Sequence, residues 1–255
     1  MSPRNFMYTI PWDPTSEQQF ERLRQQRASC GWGVENVSNW RDQQLAGQRV
    51  IFWLVSSIRS SLYHAIQLTL RIKVLKPVHP CHDALLSGHI LQFPQESEAL
   101  SDTGSDVFPF RRERQKTFMP IGHVSMDFPP TGISDPARGR VGATSLYLSP
   151  AIRGLEFGRQ VFELMRTVAG RFARYAVIDV PVRESQEAVE RFEKFGDGRP
   201  EFSLVDWYEN IGLKRLNGTK RFVDETDSDG RIWKVELVGM EWDLWGSELS
   251  EKPRL

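Results

Sequence analysis

Arginines and glycines that directly follow a predicted strand are the part of this sequence with the clearest chemical potential. Arg153, Gly154, Gly158 and Arg159 come just after Pro150 and open a long amphipathic segment. The first turn of a helix leaves backbone N–H groups unbonded and carries about half a positive charge, and glycine lets a ligand approach the backbone closely. The pattern predicts a site for a phosphate or pyrophosphate. The alternative is that these arginines lie on a solvated helix face.

The charge distribution favours a compact anionic ligand over a polyanion. The 255 residues include 33 Lys plus Arg and 33 Asp plus Glu, so the formal net charge is zero. A neutral chain has no general attraction for nucleic acid or for an anionic membrane, and we expect neither as a partner. Residues 151–175 nevertheless contain five arginines against two glutamates, a local charge of +3. One phosphorylated small molecule fits this segregation best.

Other residues able to take part in chemistry lie in three places. Residues 207–213 (WYENIGL) contain Tyr208, whose phenol can act as a general acid. His123 and Asp127 lie on a predicted strand and could accept a proton, the alternatives being a structural histidine and a turn-forming aspartate. Residues 79–89 (HPCHDALLSGH) are rich in metal-binding side chains, but their spacing fits no standard zinc module, and we predict no metal site.

Hydrophobic periodicity indicates the elements that hold these residues. Apolar residues at positions 157, 161, 164, 165, 168 and 172 form one face of a helix, which lies between apolar strands at 143–149 and 175–180. A strand, a helix and a strand in about 40 residues predict a crossover unit, so the two strands should be parallel with the helix packed across them.

The remaining elements predict a mixed α/β sheet. Before residue 56 we expect a strand at 5–10, a helix capped by Thr15 or Ser16, a second helix with Val34, Val37, Trp40 and Leu45 on one stripe, and a strand at 48–57. After it we expect a strand at 118–128, a helix at 185–196, a helix at 202–216 that breaks at Gly212, and a hairpin over the DSDG turn at 227–230. The chain is expected to form a single domain, 1–255, with an insertion at about 56–117.

Taken in order, these motifs resemble those of the GCN5-related N-acetyltransferases, the GNAT superfamily. That family has a strand L-x-V-x-P, a loop [RQ]-x-x-G-x-[GA], an amphipathic helix, a strand, and later an aromatic-Tyr-Glu-x-x-Gly-hydrophobic motif. The matching segments here are 146–150 (LYLSP), 153–158 (RGLEFG), the helix to Phe172, the strand 175–180 and 207–213. The resemblance implies the acyl-CoA N-acyltransferase fold, with two splayed parallel strands and a surface insertion.

The resemblance also implies a reaction, the transfer of an acetyl group from acetyl-CoA to an amine by direct attack, and we expect the amine to be that of a small molecule. The pantetheine would lie between the strands 143–149 and 175–180 and pair with the backbone around Leu148. Tyr208 matches the tyrosine that protonates the leaving thiolate. The pyrophosphate would meet the loop and the first helical turn, formed by Arg153, Gly154, Leu155, Glu156, Phe157, Gly158 and Arg159.

Two departures from the family pattern keep other functions open. Glu156 replaces the usual glycine, and its carboxylate would repel a pyrophosphate unless the side chain points away. Residues 141–145 offer no carboxylate, so Asp127 and His123 are the predicted general bases. The alternatives are a noncatalytic binding or scaffold protein on this fold, an enzyme with another acyl donor or reaction in specialised metabolism, and protein acetylation.

The cysteine usage and the N-terminus favour a cytoplasmic protein. Two cysteines occur, Cys30 and Cys81, with no CxxC pair, which indicates a reducing compartment. The first 14 residues contain no apolar run long enough for a signal peptide.

Overall fold

One mixed β-sheet organises the protein. The computed structural model describes residues 7–56, 89–103, 117–128, 134–152, 157–182, 186–194, 203–218, 220–227 and 229–245. The strands are β1 (Met7–Pro11), β2 (Arg49–Ser56), β3 (Leu100–Ser101), β4 (Thr117–Phe118), β5 (Pro120–Asp127), β6 (Arg140–Leu148), β7 (Tyr175–Pro181), β8 (Lys214–Arg215), β9 (Arg221–Thr226) and β10 (Ile232–Asp243). Within the described residues, eight of them form one sheet, in the order β1-β2-β5-β6-β7-β10-β8 with β9 also on β10. The predicted mixed α/β class is confirmed.

Five helices accompany the strands in the described ranges. They are α1 (Glu17–Cys30), α2 (Val37–Leu45), α3 (Phe157–Ala169), α4 (Gln186–Lys194) and α5 (Leu204–Asn210), with 3₁₀ turns at Val34–Asn36, Pro94–Glu96, Pro136–Arg138 and Pro150–Ile152 and helical residues at 89–92. Ser16 caps α1, since its hydroxyl accepts a hydrogen bond from the Gln19 amide. Gly31, at φ 74°, ends the helix in the left-handed conformation that glycine adopts readily. Of the two predicted caps of α1, Thr15 and Ser16, the cap is therefore Ser16.

The connectivity agrees with the predicted strand–helix–strand unit. Strands β1, β2, β5 and β6 are antiparallel neighbours, β7 is parallel to β6, and β10 is antiparallel to β7. Helix α3 is the crossover between β6 and β7. Because the strands on either side of this parallel pair are antiparallel, β6 and β7 form the one parallel junction in the described sheet.

The two faces of the sheet carry separate cores. Along β2, Val50, Phe52 and Leu54 belong to one cluster, whereas Ile51, Trp53 and Val55 belong to another, because alternate residues of a strand point to opposite faces. The first cluster includes buried residues of α3 and α5, and we call it the α3 face. The second includes residues of α1 and α2, and we call it the α1 face.

Several predicted details are wrong, each for a local reason. Leu45, expected on the buried stripe of α2, is 60% exposed at the helix end, and Phe172 is 42% exposed beyond the end of α3. Phe162 is buried in α3 instead. The predicted break at Gly212 is present, at φ 101°, but the residues after it form β8 and not a continuing helix, and α5 ends at Asn210.

Part of the predicted insertion contributes to the core. Residues 89–103 are described, and His89, Glu96 and Leu100 within them are fully buried. Residues 57–88 and 104–116 lie outside the described residues. Among the helices that the structure describes, none is both long enough and apolar enough to cross a membrane.

Candidate active site

Strands β6 and β7 pair over only a short stretch and then diverge. Their parallel register contains Arg140–Tyr175, Val141–Ala176 and Gly142–Val177. Both strands are fully described, and β6 continues to Leu148 and β7 to Pro181 without further pairing to each other. The sheet therefore opens between its two central strands, towards the end where β6 leads into α3.

A β-bulge in β6 accompanies this opening. Across the β5–β6 pair, His123 faces Tyr147 and Ser125 faces Thr144, so β6 has one more residue than β5 between these pairs. Ser145 in the bulge has φ 53°, the left-handed conformation that is costly for a residue with a side chain. A bulge bends its strand and increases its twist, which accounts for the departure of β6 from β7.

The predicted cofactor residues lie at the open end as far as the structure describes them. Leu148 ends β6 and packs against the α3-face core. Phe157 is the first residue of α3, and the Arg159 side chain, two residues on, is exposed. The remaining predicted loop residues, Arg153, Gly154, Leu155 and Glu156, lie outside the described residues.

Gly158 has a packing role that the motif did not reveal. A Cβ added to it would lie 3.2 Å from Cζ2 and 3.3 Å from Cη2 of Trp207, tighter than an ordinary van der Waals contact. The absence of a side chain lets the indole of α5 lie against the first turn of α3. The motif glycine is therefore explained by helix packing, whether or not a phosphate binds nearby.

Tyr208 lies beside this contact on the α3 face. Its ring packs edge-on against Phe162, with centroids 5.2 Å apart, and against Trp207, with centroids 5.0 Å apart. Its side chain belongs to the buried core cluster and is 8% exposed. Ser203 caps α5 by accepting a hydrogen bond from the Asp206 amide, which fixes the start of the helix that carries Tyr208. The tyrosine is thus on the same face of the sheet as the helix that would bind the pyrophosphate.

Asp127 lies at the opposite end of β6 and is fully engaged. Its Oδ1 accepts a hydrogen bond from Arg49 Nε at 2.7 Å, and its Oδ2 accepts from Arg49 Nη2 at 2.9 Å and from Thr144 Oγ1 at 3.1 Å. It pairs in register with Gly142, where β6 and β7 are still joined. The carboxylate forms a buried, bidentate ion pair beneath the opening.

His123 is buried in a chain of hydrogen bonds on the α1 face. The Gln26 amide nitrogen donates to Glu96 Oε2 at 2.8 Å, so its oxygen faces His123 and accepts from Nδ1 at 2.8 Å. His123 Nε2 then faces the Arg27 guanidinium at 3.5 Å. Burial, and next the Arg27 charge, hold the pKa of the imidazole well below its usual value of 6.5. His123 is a neutral imidazole with no exposed surface.

Most of the histidine-rich segment 79–89, for which we predict no metal site, lies outside the described residues. Among the described residues, no group of three or more histidine, cysteine or carboxylate side chains could hold an ion. Of residues 79–89, only His89 is described, and its Nδ1 is 2.7 Å from Ser149 Oγ in the buried α1-face network. The other four potential ligands, His79, Cys81, His82 and Asp83, lie outside the described residues.

The motifs do not single out Asp179, which lies on β7 beside the opening. It lies on β7, two residues beyond the last pair with β6, and its side chain is 16% exposed. The signal available was that it is the only charged residue in the apolar strand YAVIDV.

The solved structures that are similar to this chain include several acetyltransferases. An aminoglycoside 6'-N-acetyltransferase complexed with coenzyme A is 12% identical, with 97% of this chain and 98% of that chain covered and a TM-score of 0.43. A spermidine N-acetyltransferase from Vibrio cholerae is 10% identical, covering 97% and 100%, with a TM-score of 0.46. A putative acetyltransferase of the GNAT family from Desulfovibrio desulfuricans is 8% identical, covering 93% and 99%, with a TM-score of 0.44. No protein-family model and no curated protein matches the chain.

The three solved structures are all named as acetyltransferases, and one of them is named as a member of the GNAT family. Since every one of these TM-scores is below 0.5, the functional proposal draws on the geometry of this chain and not on its neighbours.

Proposed function

We propose that this protein transfers an acetyl group from acetyl-CoA to an amine of a small molecule. The observation that carries the proposal is the opening between β6 and β7, two central parallel strands that stop pairing after Gly142 and Val177. An extended chain with amide groups, such as pantetheine, fits between two such strand edges, because the backbone groups there can bond to it as they would to another strand. Open ends of parallel strands are also where α/β sheets bind ligands.

The residues around the opening suit the other parts of the donor. Arg159 is exposed at the first turn of α3, where the helix dipole favours an anion, and Arg153 and Gly154 precede it in sequence. These residues would hold the pyrophosphate. Leu148 would contribute backbone contacts to the pantetheine at the end of β6. The donor supplies an activated thioester when bound, and no metal is required for its aminolysis.

Tyr208 would act as the general acid of the reaction, and Asp127 or His123 as the general base. The Tyr208 phenol would donate its proton to the sulfur as the carbon–sulfur bond breaks, and it would regain one from solvent. In the balanced reaction an ammonium and a thioester yield an amide, a thiol and one released proton. Asp127 and His123 stay predictions for the base, Asp127 through water, since Arg49 and Thr144 already occupy its oxygens.

A noncatalytic binding role on the same fold is the second candidate. It is favoured by the packing of Trp207 against Gly158 and by the burial of Tyr208, which together give both motif residues a structural reason. Another acyl donor or a protein acceptor would change the ligand but keep the opening. Measurements with CoA and with a panel of amines separate the noncatalytic role from the proposed transfer.

Binding of the donor is tested by calorimetry with CoA and with acetyl-CoA on the full chain. We expect binding, and we expect Arg159→Ala to weaken it about tenfold, the effect of losing one hydrogen bond to a charged group. Arg24→Ala is the matched control, since Arg24 is an exposed helix arginine on α1. The absence of binding at millimolar concentration would contradict the proposal.

Turnover is tested with acetyl-CoA and a panel of primary amines, including spermidine and an aminoglycoside. Tyr208→Phe should retain CoA binding and lower turnover by about 100-fold or more, the usual contribution of a general acid. Binding of CoA with no acetylation of any amine would favour the noncatalytic role. Wild-type rates in Tyr208→Phe would leave the acid role without support.

A further inference from the structure

We propose that Asp179 is the subsite that binds the ammonium group of the acceptor, so that the acceptors are cationic amines. The inference rests on the proposed function, because it assigns the second substrate to the same opening. It extends that function by naming a residue that the motifs do not contain and a chemical class of substrate.

The position of Asp179 places it on the wall of the opening that faces away from α3. Continuing the parallel register from Gly142–Val177 brings Asp179 level with Thr144 of β6. Ile178 and Val180, its neighbours on β7, belong to the α3-face core, so the Asp179 side chain points to the other face. A donor bound from the α3 face would therefore meet an acceptor that comes from the side of Asp179.

One oxygen of this carboxylate is bound and the other is not. Arg221 Nη2 donates to Oδ2. The residue that pairs with Asp179 on β10 is Gly239, and the Arg221 partner on β10 is Leu237, so the arginine crosses β10 where there is no side chain to obstruct it. In the described part of the chain, Oδ1 is buried and has no hydrogen-bond partner. An unsatisfied buried acceptor costs free energy, and a ligand donor would remove that cost.

Asp127 and Asp179 differ in how many of their carboxylate oxygens accept hydrogen bonds. Arg49 and Thr144 satisfy both oxygens of Asp127, which lies where β6 and β7 are still paired. Asp179 lies where they have separated and keeps one oxygen for another donor. The first carboxylate holds two strands together, and the second has a buried oxygen that no described group satisfies.

The chemistry of the open oxygen favours an ammonium group. A carboxylate oxygen accepts hydrogen bonds only, and a charged donor gives the strongest of them. The Arg221 side chain is 44% exposed, so solvent screens its repulsion of a second cation, while Asp179 is mostly buried and interacts more strongly. An ammonium bound here would lie beside the opening in which the thioester is proposed to bind.

The experiment measures spermidine binding by calorimetry at low ionic strength, with and without saturating CoA. We expect Asp179→Asn to weaken spermidine binding at least tenfold and to leave CoA affinity unchanged. Arg221→Ala should bind spermidine as well as the wild type or better, because it removes a competing cation and exposes both carboxylate oxygens. Asp224→Asn is the control and should have no effect. Asp224 is an exposed residue of β9, and its side chain points to the face of the sheet opposite to that of Arg221.

Equal losses in Asp179→Asn and Arg221→Ala would show that the pair is only structural and would overturn the inference. Wild-type protein that binds CoA but not spermidine would also overturn it, while leaving the donor half of the proposed function intact. Protein that binds spermidine through Asp179 but does not bind CoA would support the inference and contradict the donor half of the proposed function. If Asp179→Asn does not fold, Asp179→Glu keeps the charge and moves the carboxylate by one methylene, and we expect at least a threefold loss.

Discussion

The helices on the two faces of the sheet bury different kinds of side chain. Helix α3 buries Val161, Phe162, Met165 and Ala169 on one face, all of them apolar. Helix α1 buries Gln19, Arg22, Gln26 and Arg27 beside Leu23 on the other. Helix α3 is therefore held by contacts that are not directional, whereas helix α1 is also held by hydrogen bonds to particular atoms.

Each buried polar residue of α1 bonds to another part of the chain. Gln19 bonds to the Asp13 amide, the Trp53 indole and the Ser101 carbonyl, and Arg22 donates to the Glu98 carbonyl at 2.7 Å. These partners come from β2 and from residues 89–103 as well as from the loop before α1. Helix α1 therefore fixes the position of distant segments, whereas α3 contributes apolar side chains around which their neighbours can repack.

The largest loss of stability is expected from a substitution in the polar contacts of α1, compared with a substitution of similar size in the apolar contacts of α3. Gln26→Leu keeps the approximate shape but removes the donor to Glu96 and the acceptor for His123, two groups with no exposed surface. Leaving buried polar groups unsatisfied should lower the free energy of unfolding by about 3 kcal/mol, measured by urea denaturation. Met165→Leu on α3 is the matched control and should cost under about 1.5 kcal/mol. Equal losses would contradict the contrast between the faces.

A smaller effect is expected from pH, through His123 on the α1 face. His123 is held neutral in the folded protein, whereas in the unfolded chain it binds a proton below about pH 6.5. Its contribution to stability is therefore complete above pH 6.5 and is lost as pH falls, by up to about 1.4 kcal/mol per pH unit, until the lowered folded pKa is reached.

This dependence is measured by urea unfolding of the wild type and of His123→Gln between pH 7.5 and pH 5.5. The variant should lose less stability over this range, because glutamine has no proton to gain. Parallel curves for the two proteins would mean that the pH dependence comes from other groups.

The sequence predicted the apolar face better than the polar one. Regular spacing of apolar residues located α3 and its buried Val161 and Met165, and the strand–helix–strand pattern correctly predicted the parallel pair. A helix face of glutamine and arginine has no such pattern. Gln26 is buried because Glu96 and His123, 70 and 97 residues away, meet it in the fold. Local periodicity cannot encode partners at that distance.

The candidate site shows the same division. The motif order predicted where the opening would lie, between 143–149 and 175–180, and the structure places the divergence there. The motifs could not distinguish the two carboxylates, because the engagement of Asp127 by Arg49 and the open oxygen of Asp179 depend on strand pairing. They also could not separate the packing role of Gly158 from a phosphate-binding role.

The smallest expected effect concerns Ser145, in the bulge of β6 that separates the central strands. Its φ of 53° carries a penalty of about 1–2 kcal/mol for a residue with a side chain, and glycine avoids it but adds about 0.5–1 kcal/mol of chain entropy. Ser145→Gly should therefore raise the free energy of unfolding by about 0.5 kcal/mol. Ser97→Gly, at φ −69°, has no such strain to relieve and should lower it by about the entropy cost alone. If both variants lose the same amount, the bulge is not strained, and β6 leaves β7 for a reason other than the conformation of Ser145.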